Sequence, residues 1–179
     1  MDGTPITLDA SARLAGLQIG RAESADAAEL LVLQRACWVA EALANETLDI
    51  PALHESLADV ERGIAEQQTW VVRDGARLVG SVRGKVARGA WEIGRLMVAP
   101  DLAGRGLGRF LLTWIEQHAP ADITQFELFT GARSTRNLEL YGKAGYTVAR
   151  TADGVAHLSK SRDEERPLTA DADRDRPTS

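Results

Sequence analysis

A single cysteine, Cys37, stands among 179 residues, so no disulfide can form within the chain and a reducing compartment is the expected setting. No apolar run approaches the roughly 20 residues that a membrane-spanning helix needs. Residues 1–20 carry Asp2 and Asp9 and no long apolar core, so no signal peptide is expected. Basic excess is missing as well. The net charge of −5 argues against a general nucleic-acid or anionic-membrane binder and is compatible with a cationic amine as partner. His118 and His157 lack any partner pattern, so no metal site is expected. There is no internal repeat. These absences point to a cytoplasmic, soluble protein.

What is present is ordinary for a globular chain: 44% apolar and 26% charged residues, with enough length for one domain and a proper core. Residues 1–16 are unpatterned and read as a loose arm, and Leu17–Ala22 reads as a first strand. Ser24 or Asp26 can cap the helix that follows. In that helix Leu30, Leu33, Cys37, Ala40 and Ala44 recur at alternating three and four, one apolar stripe with Cys37 in the core. Pro51 suits the first turn of a second helix reaching about Gln67, with His54 exposed on it. Thr69–Arg73 and Arg77–Val86 are β-rich and joined by Asp74-Gly75, a hairpin signal. Farther on, Thr124–Thr130 alternates as a strand, and Ser134–Lys143 reads as a helix closed by Gly145. Tyr146–Arg150 and Val155–Ser159 read as the last strands. The domain is expected to span residues 1–160. Residues 161–179 are rich in Asp, Glu, Arg and Pro with almost nothing apolar, and are expected to be a disordered tail.

The most informative stretch is Trp91–Phe110, WEIGRLMVAPDLAGRGLGRF. Trp91, Ile93, Leu96, Met97 and Val98 make a strand that Pro100 stops. Gly104, Gly106 and Gly108 follow, and then Leu107, Phe110, Leu111, Trp114 and Ile115 at helical spacing. A strand, a glycine-rich turn and a helix N-terminus present successive backbone N–H groups to an anion, which suggests a pyrophosphate site. The dinucleotide fingerprint fails because Arg109 takes the place of its third glycine. The P-loop pattern fails because no Gly-Lys-Ser/Thr closes the run.

The stretch resembles motif A of the GNAT superfamily of acetyl-CoA-dependent N-acetyltransferases. Leu96-Met97-Val98-Ala99-Pro100 matches the strand end and Ala103-Gly104-Arg105-Gly106-Leu107-Gly108 the loop, with Ala103 departing from the usual Arg or Gln. Some 30 residues on, Tyr141, Gly145 and Tyr146 match motif B. Ser134 departs from the Asn often found there, and Asn137 stands four before Tyr141. The resemblance implies an α/β (α+β) fold: a mixed, mainly antiparallel sheet flanked by helices, with a splayed parallel strand pair that admits acetyl-CoA.

The same resemblance implies transfer of an acetyl group to a primary amine in a ternary complex, by a monomer or homodimer. Amides from Gly104 to Arg109 would meet the pyrophosphate, with charge from Arg105 and Arg109, while Ser134 and Asn137 would be cofactor contacts. The strand edge at Leu96–Val98 would hold the pantetheine arm, and the N–H of Met97 or Val98 would serve as oxyanion donor. Tyr141 would be the general acid and Glu92, eleven residues before Ala103, the general base. The 45–60 region would choose the acceptor, a small-molecule or peptide amine. Trp38, Trp70 and Trp91 are expected to pack in the core. Two rivals remain at this stage: acylation of a protein N-terminus or lysine, and a non-catalytic acyl-CoA-binding module.

Overall fold

The computed structural model describes residues 5–7 and 14–162. Its sheet has eight strands: β1 (Ile6–Thr7), β2 (Gln18–Arg21), β3 (Gln68–Asp74), β4 (Arg77–Ala87), β5 (Ala90–Val98), β6 (Gln125–Gly131), β7 (Thr147–Ala152) and β8 (Val155–Ser161). They lie in the order β1-β2-β3-β4-β5-β6-β8-β7. Every neighbouring pair is antiparallel except β5 and β6, which run parallel. Ile6 pairs with Ile19, so part of the expected loose arm adds an edge strand. Leu14 of the same arm is buried in the core, while residues 1–4 and 8–13 and the expected tail from 163 onward lie outside the described residues.

Five helices cover the sheet: α1 (Ala27–Asn45), α2 (Pro51–His54), α3 (Leu57–Glu66), α4 (Leu107–Gln117) and α5 (Thr135–Lys143). The apolar stripe of α4 buries Leu107, Leu111, Leu112 and Ile115 against the sheet. Gly80 of β4 lies directly beneath, where an added Cβ would come within 3.3 Å of Leu107 and Leu111. Trp91 is on this same face and donates from Nε1 to the Ile115 carbonyl at 3.1 Å. The opposite face carries α1, α2 and α3, with Val60 of α3 buried and Gly63 packed over Arg83 of β4. No helix among the described residues is long and apolar enough to cross a membrane.

Three local expectations are revised. The second helix is broken: Glu55 is extended at ψ 132°, and Ser56 restarts the chain as the cap of α3, accepting from the Asp59 N–H at 3.2 Å. The break turns the Glu55 side chain toward the sheet, where it pairs with Arg95. The stripe of α1 also departs from its expected course. Ala40 and Ala44 are exposed, and the inward seam continues instead through Cys37, Glu41 and Asn45. It becomes polar because it meets polar ends of β6 and α5. Last, the folded region runs past Lys160: that ammonium meets Glu116 at 2.7 Å, and Arg162 donates to the Pro120 and Ile123 carbonyls at 2.8 and 2.7 Å.

Candidate active site

The parallel strands are in register only at Trp91↔Phe126 and Glu92↔Glu127. Beyond these pairs β5 and β6 diverge, leaving a wedge between residues 93–98 and 128–131. A β-bulge makes the divergence. Ser81 pairs with Met97 but Arg83 with Gly94, so Arg95 and Leu96 together oppose Val82. Arg95 takes φ 49°, a left-handed conformation that costs a non-glycine residue free energy and is often stored at functional sites.

The bulge decides which amides face the wedge. Ala99 donates to the Val79 carbonyl at 2.8 Å, so the alternation of the ladder makes Met97–Ser81 a hydrogen-bonded pair. The Val98 N–H and C=O therefore turn away from β4. Of the two amides expected to serve as oxyanion donor, only that of Val98 is directed toward the wedge. Its carbonyl accepts from the Cys37 thiol at 3.2 Å.

At the wide end of the wedge lies the glycine-rich turn. Backbone bonds there run from Leu102 to Ala99, Ala103 to Pro100, Arg105 to Leu102 and Phe110 to Gly106. The N–H groups of Gly104, Gly106, Leu107, Gly108 and Arg109 have no backbone partner among the described residues. Five free donors at the positive end of α4 form an anion cradle. Gly104 (φ 83°) and Gly106 (φ 95°) supply backbone that L side chains rarely adopt, and a Cβ at either would point into open space. Gly108 instead rests against Leu96, Val98 and Leu140, which fixes the loop to β5 and α5. Arg105 and Arg109 are exposed, and neither enters an ion pair among the described residues. The turn thus fits a pyrophosphate, and the wedge leading from it fits an extended arm.

Ser134, Asn137 and Tyr141 do share one face of α5, as their spacing predicts, and that face meets α1. Asn45 donates to Ser134 Oγ at 2.8 Å and accepts from the Arg133 N–H at 3.1 Å. Glu41 receives three hydrogen bonds: from Thr130 Oγ1 at 3.0 Å, the Gly131 N–H at 2.8 Å and Asn137 Nδ2 at 3.0 Å. A Cβ at Gly131 would collide with Asn45, so the close approach of α1 depends on that glycine. One turn apart on α1, Cys37 bonds β5 and Glu41 bonds β6, so this helix bridges the splayed strands. Tyr141 is 8% exposed. Burial, and then the Glu41 carboxylate, push its phenol well above the ordinary value of 10.

Glu92 stands apart from these groups. It lies where β5 and β6 are still paired and contacts Lys85 at 2.9 Å and Arg88 at 3.8 Å. It precedes Leu96 at the bulge by four residues, roughly 13 Å of extended strand. Its side chain is on the α1–α3 face, as its register with Lys85 requires. Trp91 is core, as expected; Trp70 and Trp38 are half-buried, the latter with the Arg95 guanidinium 5.7 Å from its ring. Among the described residues no cluster suited to a metal ion occurs.

Sequence reasoning missed Glu41, Asn45, Thr130 and Arg83. The only signal for the first two was their spacing. Leu30, Gln34, Cys37, Glu41 and Asn45 recur at three and four with polar residues on what then had to be an inward seam.

Comparison with known proteins agrees with this geometry. Residues 29–146 match the model of the acetyltransferase (GNAT) family. The chain is 29% identical over 136 residues, 76% of its length, to the UPF0157 protein YqkA of Bacillus subtilis (strain 168). It spans only 39% of that curated relative. Among solved structures, PaiA N-acetyltransferase from Thermoplasma acidophilum, in complex with coenzyme A, superposes with a TM-score of 0.72 at 17% identity, covering 82% of this chain and 99% of that one. YncA, a putative acetyltransferase from Salmonella typhimurium with its cofactor acetyl-CoA, gives 0.65 at 16% identity, covering 87% and 99%.

Proposed function

The chain belongs to the acetyltransferase (GNAT) family, and on that premise we propose that it transfers an acetyl group from acetyl-CoA to a primary amine by direct attack in a ternary complex. The observation that carries this reading is the set of five unpartnered N–H groups at Gly104–Arg109, opening onto the wedge between β5 and β6. When bound, acetyl-CoA supplies an acyl group activated as a thioester. The chain's own residues do the rest. Amides from Gly104 to Arg109 hold the pyrophosphate, and Arg105 and Arg109 add charge at the rim. The edge at Leu96–Val98 orders the pantetheine arm, with the Val98 N–H as the oxyanion donor. Ser134 and Asn137 border the arm from α5.

Tyr141 holds its proton throughout neutral pH and its O–H has no acceptor among the described residues, so it is free to donate as charge builds on the leaving sulfur. Glu92 accepts the proton of the incoming ammonium, and its distance from the bulge requires water between them. Cys37 is unsuited to carrying the acyl group. Burial pushes its thiol up to about 11, so thiolate is scarce at neutral pH. We place this activity in one domain that extends through Arg162, acting in the cytoplasm as a monomer or homodimer.

Calorimetric titration tests the reading. Wild type should bind acetyl-CoA, and Gly106→Asp, which aims a carboxylate into the cradle, should abolish binding. Tyr141→Phe should keep the affinity and lower turnover of an accepted amine about 10²-fold. No binding by wild type would end the cofactor assignment. Unchanged turnover in Tyr141→Phe would remove Tyr141 as the acid.

A further inference from the structure

The α1–α3 face of the sheet holds a buried guanidinium with no hydrogen-bond or ion-pair partner among the described residues. Arg83 is 7% exposed, and its Nε is buried without a partner. None of its nitrogens enters a hydrogen bond or ion pair among the described residues. The nearest opposite charge, Glu55, is already shared between Arg95 and Gln34 Nε2, the latter at 2.8 Å. Glu55 therefore acts on Arg83 only through space, and a buried cation with no hydrogen-bonded partner of its own is costly.

Three further features surround it. Gly63 of α3 makes room for the guanidinium: a Cβ there would stand 2.6 Å from Nη1. Gly94, the cross-strand partner of Arg83, has nothing within 4 Å of where its Cβ would be, so a hollow opens beside Arg83 in the middle of a central strand. A strand glycine accompanies a bulge, as it does here, or leaves room for another molecule to approach the backbone. Ser81, next along β4 on the same face, has a buried hydroxyl that also lacks a partner. The hollow is flanked along β5 by Glu92 on one side and the Arg95 bulge on the other.

We propose that Arg83 receives a carboxylate of the acceptor, so that the amine acetylated is an amino-acid-like molecule seated in the hollow above Gly94. A planar guanidinium fork matches a carboxylate through two parallel hydrogen bonds. Seating the carboxylate there sets the amine of the same molecule beside the bulge, on the face that Glu92 also occupies. This inference rests on the acetyltransferase reading and narrows its substrate class. The chain's overall charge favours a cationic partner, while this hollow adds a local demand for an anionic group.

The test compares amino acids with their C-terminal amides and their decarboxylated amines as acceptors, following thiol release by wild type, Arg83→Met and Gly94→Val. Wild type should favour the carboxylate form roughly 10²-fold in kcat/KM. Arg83→Met should erase that preference, keep acetyl-CoA affinity, and melt no lower than wild type, because it replaces an unpaired buried charge with an apolar chain. A merely structural arginine would instead lose stability on that change. Gly94→Val fills the hollow without touching Arg83 and should raise the acceptor KM with acetyl-CoA binding intact. Equal turnover of acids, amides and amines, or a preference that survives in Arg83→Met, overturns the assignment but leaves the acetyltransferase reading standing. Acetyl-CoA binding without turnover of any carboxylate-bearing amine overturns it too. Failure to bind acetyl-CoA would overturn the underlying reading itself.

Discussion

Replacing Glu41 tests whether α1 is latched across the splayed strands by the contacts described. Its carboxylate is the acceptor for Thr130 Oγ1, the Gly131 N–H and Asn137 Nδ2. In Glu41→Ala the Thr130 O–H, the Gly131 N–H and one Asn137 N–H lose their acceptor, although Thr130 Oγ1 still accepts from Asn137 at 3.1 Å. Stranding a buried donor costs about 1–3 kcal/mol, so three of them in a partly buried site cost roughly 3–6 kcal/mol. Glu41→Gln retains one acceptor oxygen for Thr130 and Gly131 and sets its amide against that of Asn137, so about 1–2 kcal/mol is lost. For a domain of this size that is a fall in Tm of about 2–8 °C for Gln and more for Ala. The order is measured by thermal and urea denaturation of the three proteins. The Gln variant also removes a negative charge beside Tyr141, so the phenol should titrate at lower pH than in wild type, read by ultraviolet absorbance against Tyr141→Phe. Equal stability of all three proteins, or an unshifted Tyr141 titration in Glu41→Gln, would refute the latch.

Two other predictions concern the supports of the site. Burial raises the pKa of Glu55, but hydrogen bonds from Arg95 and Gln34 outweigh this and hold it below the usual 4.5. The stabilisation it contributes is therefore complete above about pH 4.5 and lost as the pH falls through the lower folded-state value. Glu55→Gln should flatten the stability profile in that acid window, and an unchanged acid limb would contradict the ion pair. Arg162 donates to carbonyls of the loop that follows α4, and Arg162→Ala should cost about 1–3 kcal/mol in urea denaturation while leaving acetyl-CoA affinity unchanged; a loss of affinity would mean that this loop governs the cradle at the far end of α4.

The parts of the fold legible in the sequence were those set by local rules. Asp74-Gly75 marks a hairpin whose Gly75 adopts φ 56°, and the α4 stripe buries Leu107, Leu111 and Ile115 at the predicted period. The three glycines at the start of α4 announce a cradle because backbone conformation and helix polarity alone create one. The bulge was not legible in position. It arises from the ladder between β4 and β5, and nothing in the run Gly94-Arg95-Leu96 marks Arg95 as the residue that must take a positive φ. The register across that bulge is nevertheless what gives Val98, and not Met97, the amide that faces the wedge.

The course of α1 shows why the rest stayed hidden. Read as an isolated helix, its second half offers Ala40 and Ala44 as the apolar continuation, and hydrophobic periodicity selects them. In the fold those alanines are exposed and Glu41 and Asn45 point inward, because the neighbour on that side is the open end of a splayed strand pair with polar groups to satisfy. A rule that assigns the inward face by hydrophobicity fails wherever the interior is polar. Arg83 is the same failure on a strand: alternation marks its position as inward, yet its charge argues for solvent. Both conflicts lie on the α1–α3 side of the sheet around the bulge and the wedge, where an irregular, open part of the sheet meets polar side chains that local preference would place in solvent.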